Sequence, residues 1–222
     1  MALVPAPDRG VWRLGKANDP LRYERLSKED NDHAASNRWS VVSYGILYCA
    51  SALDGCFAEA LAPFRVDPEL RALIGDEWSD SRFLPPGRLP QDWRTRHTLV
   101  RLAPDKEAGF LDVEDPRTLR ALSTDRELAP GLAAFGVGRL TPAHIHGQDR
   151  RVTRLISAWA LTQRTPDQRR RIHGIAYRSR FGMRRCWAVF SDVELEELER
   201  RPIWPETPGF REVQQEYGLT VL

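Results

Sequence analysis

A chain of 222 residues is long enough to bury a core without disulfide or metal staples, and a single domain spanning residues 1–222 is the expectation. Lys and Arg number 33 against 31 Asp and Glu, so the formal charge of +2 excludes bulk attraction to nucleic acid or an anionic membrane, and any anion site must be local. No apolar run nears the ~20 residues of a membrane span, and the N-terminus lacks the basic start and apolar middle of a signal peptide, so no membrane partner and a cytoplasmic location are expected.

Residues 11–14 read as a short strand, followed by a polar loop over about 16–37 in which Asn18-Asp-Pro20 marks a turn. Residues 45–50 form a buried strand that runs directly into a helix. Ser51-Ala-Leu-Asp54 has the capping-box spacing, and Leu53, Cys56, Phe57, Ala60 and Leu61 then recur at helical intervals on the helix that carries Glu59. Asp67-Pro68 opens another short helix, with Pro where its missing N–H costs little. The segment 75–93, rich in Pro, Gly, Asp and Ser, reads as a surface loop before strand candidates at 95–102 and 109–113, and Asp115-Pro116 starts the next helix.

Gly and Pro punctuate residues 127–147. Beyond Asp149, the residues Val152, Leu155, Ile156, Trp159 and Ala160 make a one-sided apolar stripe, the clearest helix of the chain. Thr165-Pro-Asp-Gln168 caps a further helical turn, and residues 173–179 and 185–191 are strands joined around Phe181-Gly182. Ser191-Asp-Val-Glu194 is a full capping box, which predicts a glutamate-rich helical extension over 191–222. Strands and helices mix without a regular βαβ alternation, which indicates an α+β fold.

No Gly-x-Gly-x-x-Gly follows a strand and no Gly-x-x-x-x-Gly-Lys-Ser/Thr occurs, which argues against a Rossmann or P-loop enzyme. His144-Ile-His146 would set two imidazoles on one strand face, yet no third ligand stands at metal spacing, so surface histidines and no metal are expected. Arg169-Arg-Arg171 follows a helix cap and reads as a solvated helix face rather than a nucleic-acid patch. The three cysteines, Cys49, Cys56 and Cys186, lie in apolar surroundings and read as reduced core residues.

Several pieces carry a resemblance in their order and spacing. They are Trp12-Arg13-Leu14 with Asp19-Pro-Leu21; Asn37-Arg-Trp-Ser, then Tyr44-Gly-Ile-Leu-Tyr-Cys-Ala50; Phe57-Ala-Glu59; and Gly174-Ile-Ala-Tyr-Arg-Ser-Arg180 followed by Cys186-Trp-Ala-Val-Phe190. Together they resemble the RES-domain family, named for an arginine, a glutamate and a serine, from about Trp12 to about Ser191. Asn37 and Ser40 depart from the pattern, standing where many members have Gly and Asn or Asp.

The resemblance implies an ADP-ribosyltransferase-like fold and NAD⁺ as substrate, degraded by hydrolysis or by phosphorolysis with inorganic phosphate as co-substrate. Protein ADP-ribosylation and a catalytically inactive nucleotide-binding module are the alternatives. It further implies a bacterial toxin held inactive by an Xre-type antitoxin protein, with nucleic acid met only through that antitoxin and oligomerisation left open.

The residues suit that chemistry. Breaking the nicotinamide–ribose bond builds oxocarbenium character on the sugar, and a carboxylate beside it, Glu59, stabilises the developing cation. Glu59 shares a helix side with Ala52, Gly55 and Cys56, small enough to let a ligand approach. Arg13 and Arg38 could each fork onto the pyrophosphate, with Arg22 as a rival for the first arginine. Tyr48, and Tyr44 beside it in the motif, could stack on nicotinamide while offering a hydroxyl. Ser179, on the same strand face as Tyr177, could orient a ribose hydroxyl.

Overall fold

The computed structural model describes residues 1–31, 37–66, 69 and 87–221. Its strands, in chain order, are Leu3–Pro5 (β1), Val11–Lys16 (β2), Ile46–Ala50 (β3), Arg88–Leu89 (β4), His97–Pro104 (β5), Gly109–Asp112 (β6), Gly174–Arg178 (β7), Arg185–Phe190 (β8), Leu195–Pro202 (β9) and Thr220–Val221 (β10). The helices are Leu53–Leu61 (α1), Pro116–Ser123 (α2), Ala129–Ala134 (α3), Pro142–His146 (α4), Arg150–Thr162 (α5) and Phe210–Glu216 (α6).

Eight of the strands form one mixed sheet in the order β1-β6-β7-β8-β3-β2-β5-β9, and β4 pairs with β10 apart from it. Only β6 and β7 run parallel within the large sheet. A parallel pair needs a long crossover, and α2 to α5 supply it. The centre of the sheet is the most apolar sequence: Ile46 and Leu47 of β3 and Val189 and Phe190 of β8 are fully buried. Near-continuous apolar runs are what a strand covered on both faces requires. The α+β class is therefore as the sequence indicates.

Helix α1 lies against β2 and β3. Its apolar stripe buries Phe57 and Leu61 completely, and Phe57 meets Phe210 of α6 with ring centroids 5.2 Å apart. Gly55 makes the close approach possible, since a Cβ there would stand 2.8 Å from the Cβ of Ala50. Gly209, at φ +83°, turns the chain into α6 where a Cβ would meet the backbone nitrogen of Asp54 at 2.7 Å.

Four local expectations give way to tertiary pairing. The capping box at Ser191 does not open a helix: the Ser191 N–H donates to Gly45 O at 3.0 Å, and residues 195–202 add to the sheet edge as β9, paired with β5. Only later does the C-terminal segment form a short helix, α6. Thr165 to Gln168 is a turn, with Gln168 at φ +64°, so Arg169 to Arg171 lie on no helix face. Arg170 instead pairs with Asp192 and lies over the Phe190 ring. Ser51 does not cap α1, because its Oγ accepts from Trp187 Nε1 at 2.9 Å and Ala52 is the N-cap residue. His144 and His146 sit on α4 rather than a strand. The Thr141 N–H donates to His144 Nδ1 at 3.1 Å, and His146 Nε2 lies 3.2 Å from Glu114.

The helix expected at Asp67-Pro68 and most of the loop over 75–93 lie outside the described residues. Helices α2 and α5 form where expected, and Asp115 and Asp149 cap them, each accepting from the N–H two residues on. Among the described residues, no helix is long and apolar enough to cross a membrane.

Candidate active site

A cleft of about 860 Å³ opens where β2, β3, α1, the start of α5 and the β7–β8 hairpin meet. Arg13, Arg38, Tyr48 and Glu59, four of the residues singled out by sequence, all line it. They reach it by different routes: Arg13 from β2, Tyr48 from β3, Glu59 from α1, and Arg38 from the loop ahead of β3. The exposed side of α1 carries Glu59, and Gly55 and Cys56 beside it also line the cleft. Small residues thus bring the helix against the sheet and leave room for a ligand.

Two guanidinium groups are anchored by backbone carbonyls. Arg13 Nη1 donates to Tyr48 O at 3.1 Å and its Nε to Pro20 O at 3.5 Å. Arg38 Nη1 donates to Ile145 O at 2.7 Å and Gly147 O at 2.8 Å, while Nη2 reaches His146 O at 3.4 Å. Arg38 therefore caps the C-terminal carbonyls of α4, where a cation is favoured. Its own carbonyl accepts from Thr153 Oγ1 at 2.7 Å, which ties it to α5 as well.

The hydroxyl of Tyr48 is committed to the protein. It accepts from the Trp39 N–H at 3.1 Å and bonds Ser40 Oγ at 3.1 Å, and burial pushes its pKa well above the ordinary tyrosine value. Only its ring is offered to a ligand. Ser40, a departure from the family pattern, is buried at 2 % exposure as the partner of that hydroxyl.

Tyr44 and Ser179 do not line the cleft. Tyr44 precedes β3 in a backbone turn, its ring edge-on to Phe190 at 6.1 Å; burial, then the neighbouring Asp192, raises its pKa. Ser179 is 1 % exposed, and its Oγ accepts from the Phe181 N–H at 2.9 Å. Its work is to shape the hairpin turn that brings Arg180 and Phe181 to the cleft wall. Of the two candidates for the first arginine, Arg13 lines the cleft and Arg22 does not.

The sequence reading missed Tyr177, Arg150 and Arg180, which also line the cleft. Tyr177 is 7 % exposed, and its ring lies 5.5 Å from that of Trp39. Burial, then Cys186 and Glu59, push its pKa far up, so it stays a neutral hydroxyl. The alternation of Tyr177 with Ser179 was the available signal. For Arg150, the first residue of α5, no local pattern existed.

Among the described lining residues, the cations Arg13, Lys16, Arg38, Arg150, Arg178 and Arg180 face the carboxylates Glu24 and Glu59. Burial, then repulsion from Arg180 and Arg150, lowers the Arg38 pKa to about 10, while Glu59 opposes that shift. Arg150 is lowered in the same way, by burial and then by Arg180 and Arg154. The chain's near-neutral total charge thus conceals a cationic cleft with a carboxylate in it, suited to an anionic ligand whose reaction develops positive charge.

Cys49, Cys56 and Cys186 line the floor as buried, unbridged thiols. Burial raises all three, Cys49 to about 12, which leaves them protonated and unsuited to nucleophilic attack. Among the described residues, no group of three or more His, Cys, Asp or Glu is placed to hold a metal ion.

No curated protein and no solved structure matches the chain. A family model described as the RES domain matches residues 10–208, a span that includes every strand from β2 to β9 and all the lining residues named above. The chain belongs to the RES domain family.

Proposed function

We propose that this protein cleaves the nicotinamide–ribose bond of NAD⁺, on a sheet of the ADP-ribosyltransferase type, as a cytoplasmic toxin neutralised by an Xre-type antitoxin. The observation that carries the reading is the convergence of Glu59 with Arg13, Arg38 and Tyr48 in one cationic cleft, from segments far apart in sequence. Family membership supplies the substrate class.

In the reaction, the bond between ribose C1′ and the nicotinamide nitrogen breaks, and its electron pair leaves with neutral nicotinamide. The positive charge passes to the sugar, where the Glu59 carboxylate stabilises it. An oxygen of water or of inorganic phosphate then bonds C1′, and an attacking water releases one proton. The Tyr48 ring gives nicotinamide a flat apolar face, and the anchored guanidinium groups hold the phosphates.

The test is nicotinamide release by the wild-type protein and Glu59→Gln, with and without inorganic phosphate. The expected result is release by wild type alone, because the variant loses charge aimed at the transition state while keeping the cleft's shape. A phosphate requirement would identify phosphorolysis. Equal release by both proteins would overturn the role of Glu59, and no release by folded wild type would overturn cleavage itself.

A further inference from the structure

Glu114 lies outside the cleft lining, yet its carboxylate joins two of the segments that build the cleft. It stands two residues beyond β6, where its own N–H donates to Asp112 Oδ1 at 3.0 Å. Its Oε1 accepts the Arg178 N–H at 3.0 Å, and its Oε2 lies 3.2 Å from His146 Nε2, groups 64 and 32 residues away along the chain. The first bond prolongs the pairing of β6 with β7. The Val113 N–H donates to Ala176 O, and beyond it the Glu114 side chain takes the place of a strand carbonyl for Arg178, the last residue of β7. The second bond reaches the end of α4. There the carbonyls of Ile145, His146 and Gly147 accept from the Arg38 guanidinium at 2.7, 3.4 and 2.8 Å.

The Glu114 and His146 side chains are 18 % and 24 % exposed, so the link is largely screened from water, and an ionised acceptor makes the stronger kind of hydrogen bond. Arg38 and Arg178 both line the cleft, as do Arg180 and Phe181 in the turn that follows β7. One carboxylate that bonds a group from each of two segments fixes the spacing between them. We propose that Glu114 is a positioning residue for ligand binding, setting the distance between Arg38 on its α4 cradle and the β7–β8 hairpin, with His146 carrying the link to the cradle. This role deepens the NAD⁺ reading, on which it rests for its natural ligand. Neither side chain lines the cleft, so its loss should appear in binding rather than in bond breaking.

The experiment measures ADP-ribose binding by calorimetry and NAD⁺ turnover by nicotinamide release, below the thermal midpoint of each protein. The proteins are wild type, Glu114→Ala, Glu114→Gln, His146→Ala, the double variant Glu114→Ala/His146→Ala, and Asp125→Ala. Asp125 accepts from Trp159 Nε1 at 3.0 Å outside the cleft lining, so its variant weakens the fold without touching the link. The expected result for Glu114→Ala is an ADP-ribose Kd and a KM both raised about tenfold, with kcat within about threefold of wild type. Glu114→Gln, whose amide accepts from Arg178 and donates to His146, should return both constants to within about threefold. His146→Ala should give a smaller rise and add nothing to Glu114→Ala, because the two act through one link.

A wild-type Kd in folded Glu114→Ala, or an equal rise in Asp125→Ala, would overturn the proposal by leaving Glu114 a general support of the fold. Failure of Glu114→Gln to restore binding would overturn it too, since charge and not spacing would then matter. Should Glu114→Ala fail to fold, His146→Ala reads the same link with the Arg178 bond intact, and a wild-type Kd there overturns the proposal. Binding of ADP-ribose needs no cleavage, which separates the two readings. Weakened binding in Glu114→Ala without nicotinamide release by wild type keeps the positioning role and removes cleavage, and release by wild type with an unchanged Kd in Glu114→Ala does the reverse.

Discussion

The backbone N–H of Trp39 donates to the hydroxyl of Tyr48 at 3.1 Å, which fastens the Arg38-Trp39 pair to the central strand β3. That bond accounts for an arginine, a tryptophan and a tyrosine framing a buried strand: the tyrosine positions the arginine. Tyr48→Phe leaves the Trp39 N–H and the buried Ser40 hydroxyl without this partner, at a cost of about 1–3 kcal/mol in stability. Chemical denaturation measures it. An unchanged midpoint would mean that the two groups find other partners and that the ring alone matters.

Strands β3, β7 and β8 were legible because each is an apolar run bounded by turn residues, and α1 because its apolar positions recur at helical spacing. Strand β9 was not. The Ser191 to Glu194 pattern is a local signal, whereas the ladder with β5 depends on residues about a hundred positions away, such as Arg101 opposite Glu199. The candidate site divides the same way. Glu59, Arg38, Arg13 and Tyr48 were found through a family pattern, and Ser179 belonged to the same pattern but builds a turn. Arg150 and Arg180 gain their meaning only when the hairpin meets α5, which no window along the chain contains.

Gly55 is the contact on which the placement of Glu59 depends. In Gly55→Ala the added methyl would stand 2.8 Å from the Ala50 Cβ and push α1 away from β3, moving Glu59 with it. Overpacking of this kind costs about 1–3 kcal/mol. Nicotinamide release should fall along with the thermal midpoint. Wild-type values of both would show that the helix shifts without consequence.

Acid should weaken the fold through His173. Its Nδ1 accepts the Gly109 N–H at 3.1 Å, and burial lowers its pKa below 6.5. The unfolded chain therefore takes up the proton first as pH falls. This contribution to stability is intact above pH 6.5 and lost progressively below it, down to the depressed folded value. His97, lowered chiefly by burial, acts in the same direction. His173→Asn keeps an acceptor near the Nδ1 position without a proton to bind, so its denaturation midpoint should fall less than that of wild type between pH 7 and 5. Parallel curves for the two proteins would assign the acid sensitivity to other groups.

Tyr177 presents a neutral hydroxyl to the cleft, and no group among the described residues hydrogen-bonds it, although its ring is packed on Trp39. Its electrostatic coupling to Glu59 places it near the carboxylate proposed to stabilise the ribosyl cation. Tyr177→Phe keeps the ring contact and removes only the oxygen, so stability should stay within about 0.5 kcal/mol of wild type. If the hydroxyl orients the ribose or Glu59 as charge develops, kcat should drop on the order of tenfold with KM little changed, since an interaction made mainly in the transition state is lost. A packing residue would leave both constants where they are, and a rise in KM alone would place the hydroxyl on the bound substrate rather than on the reaction.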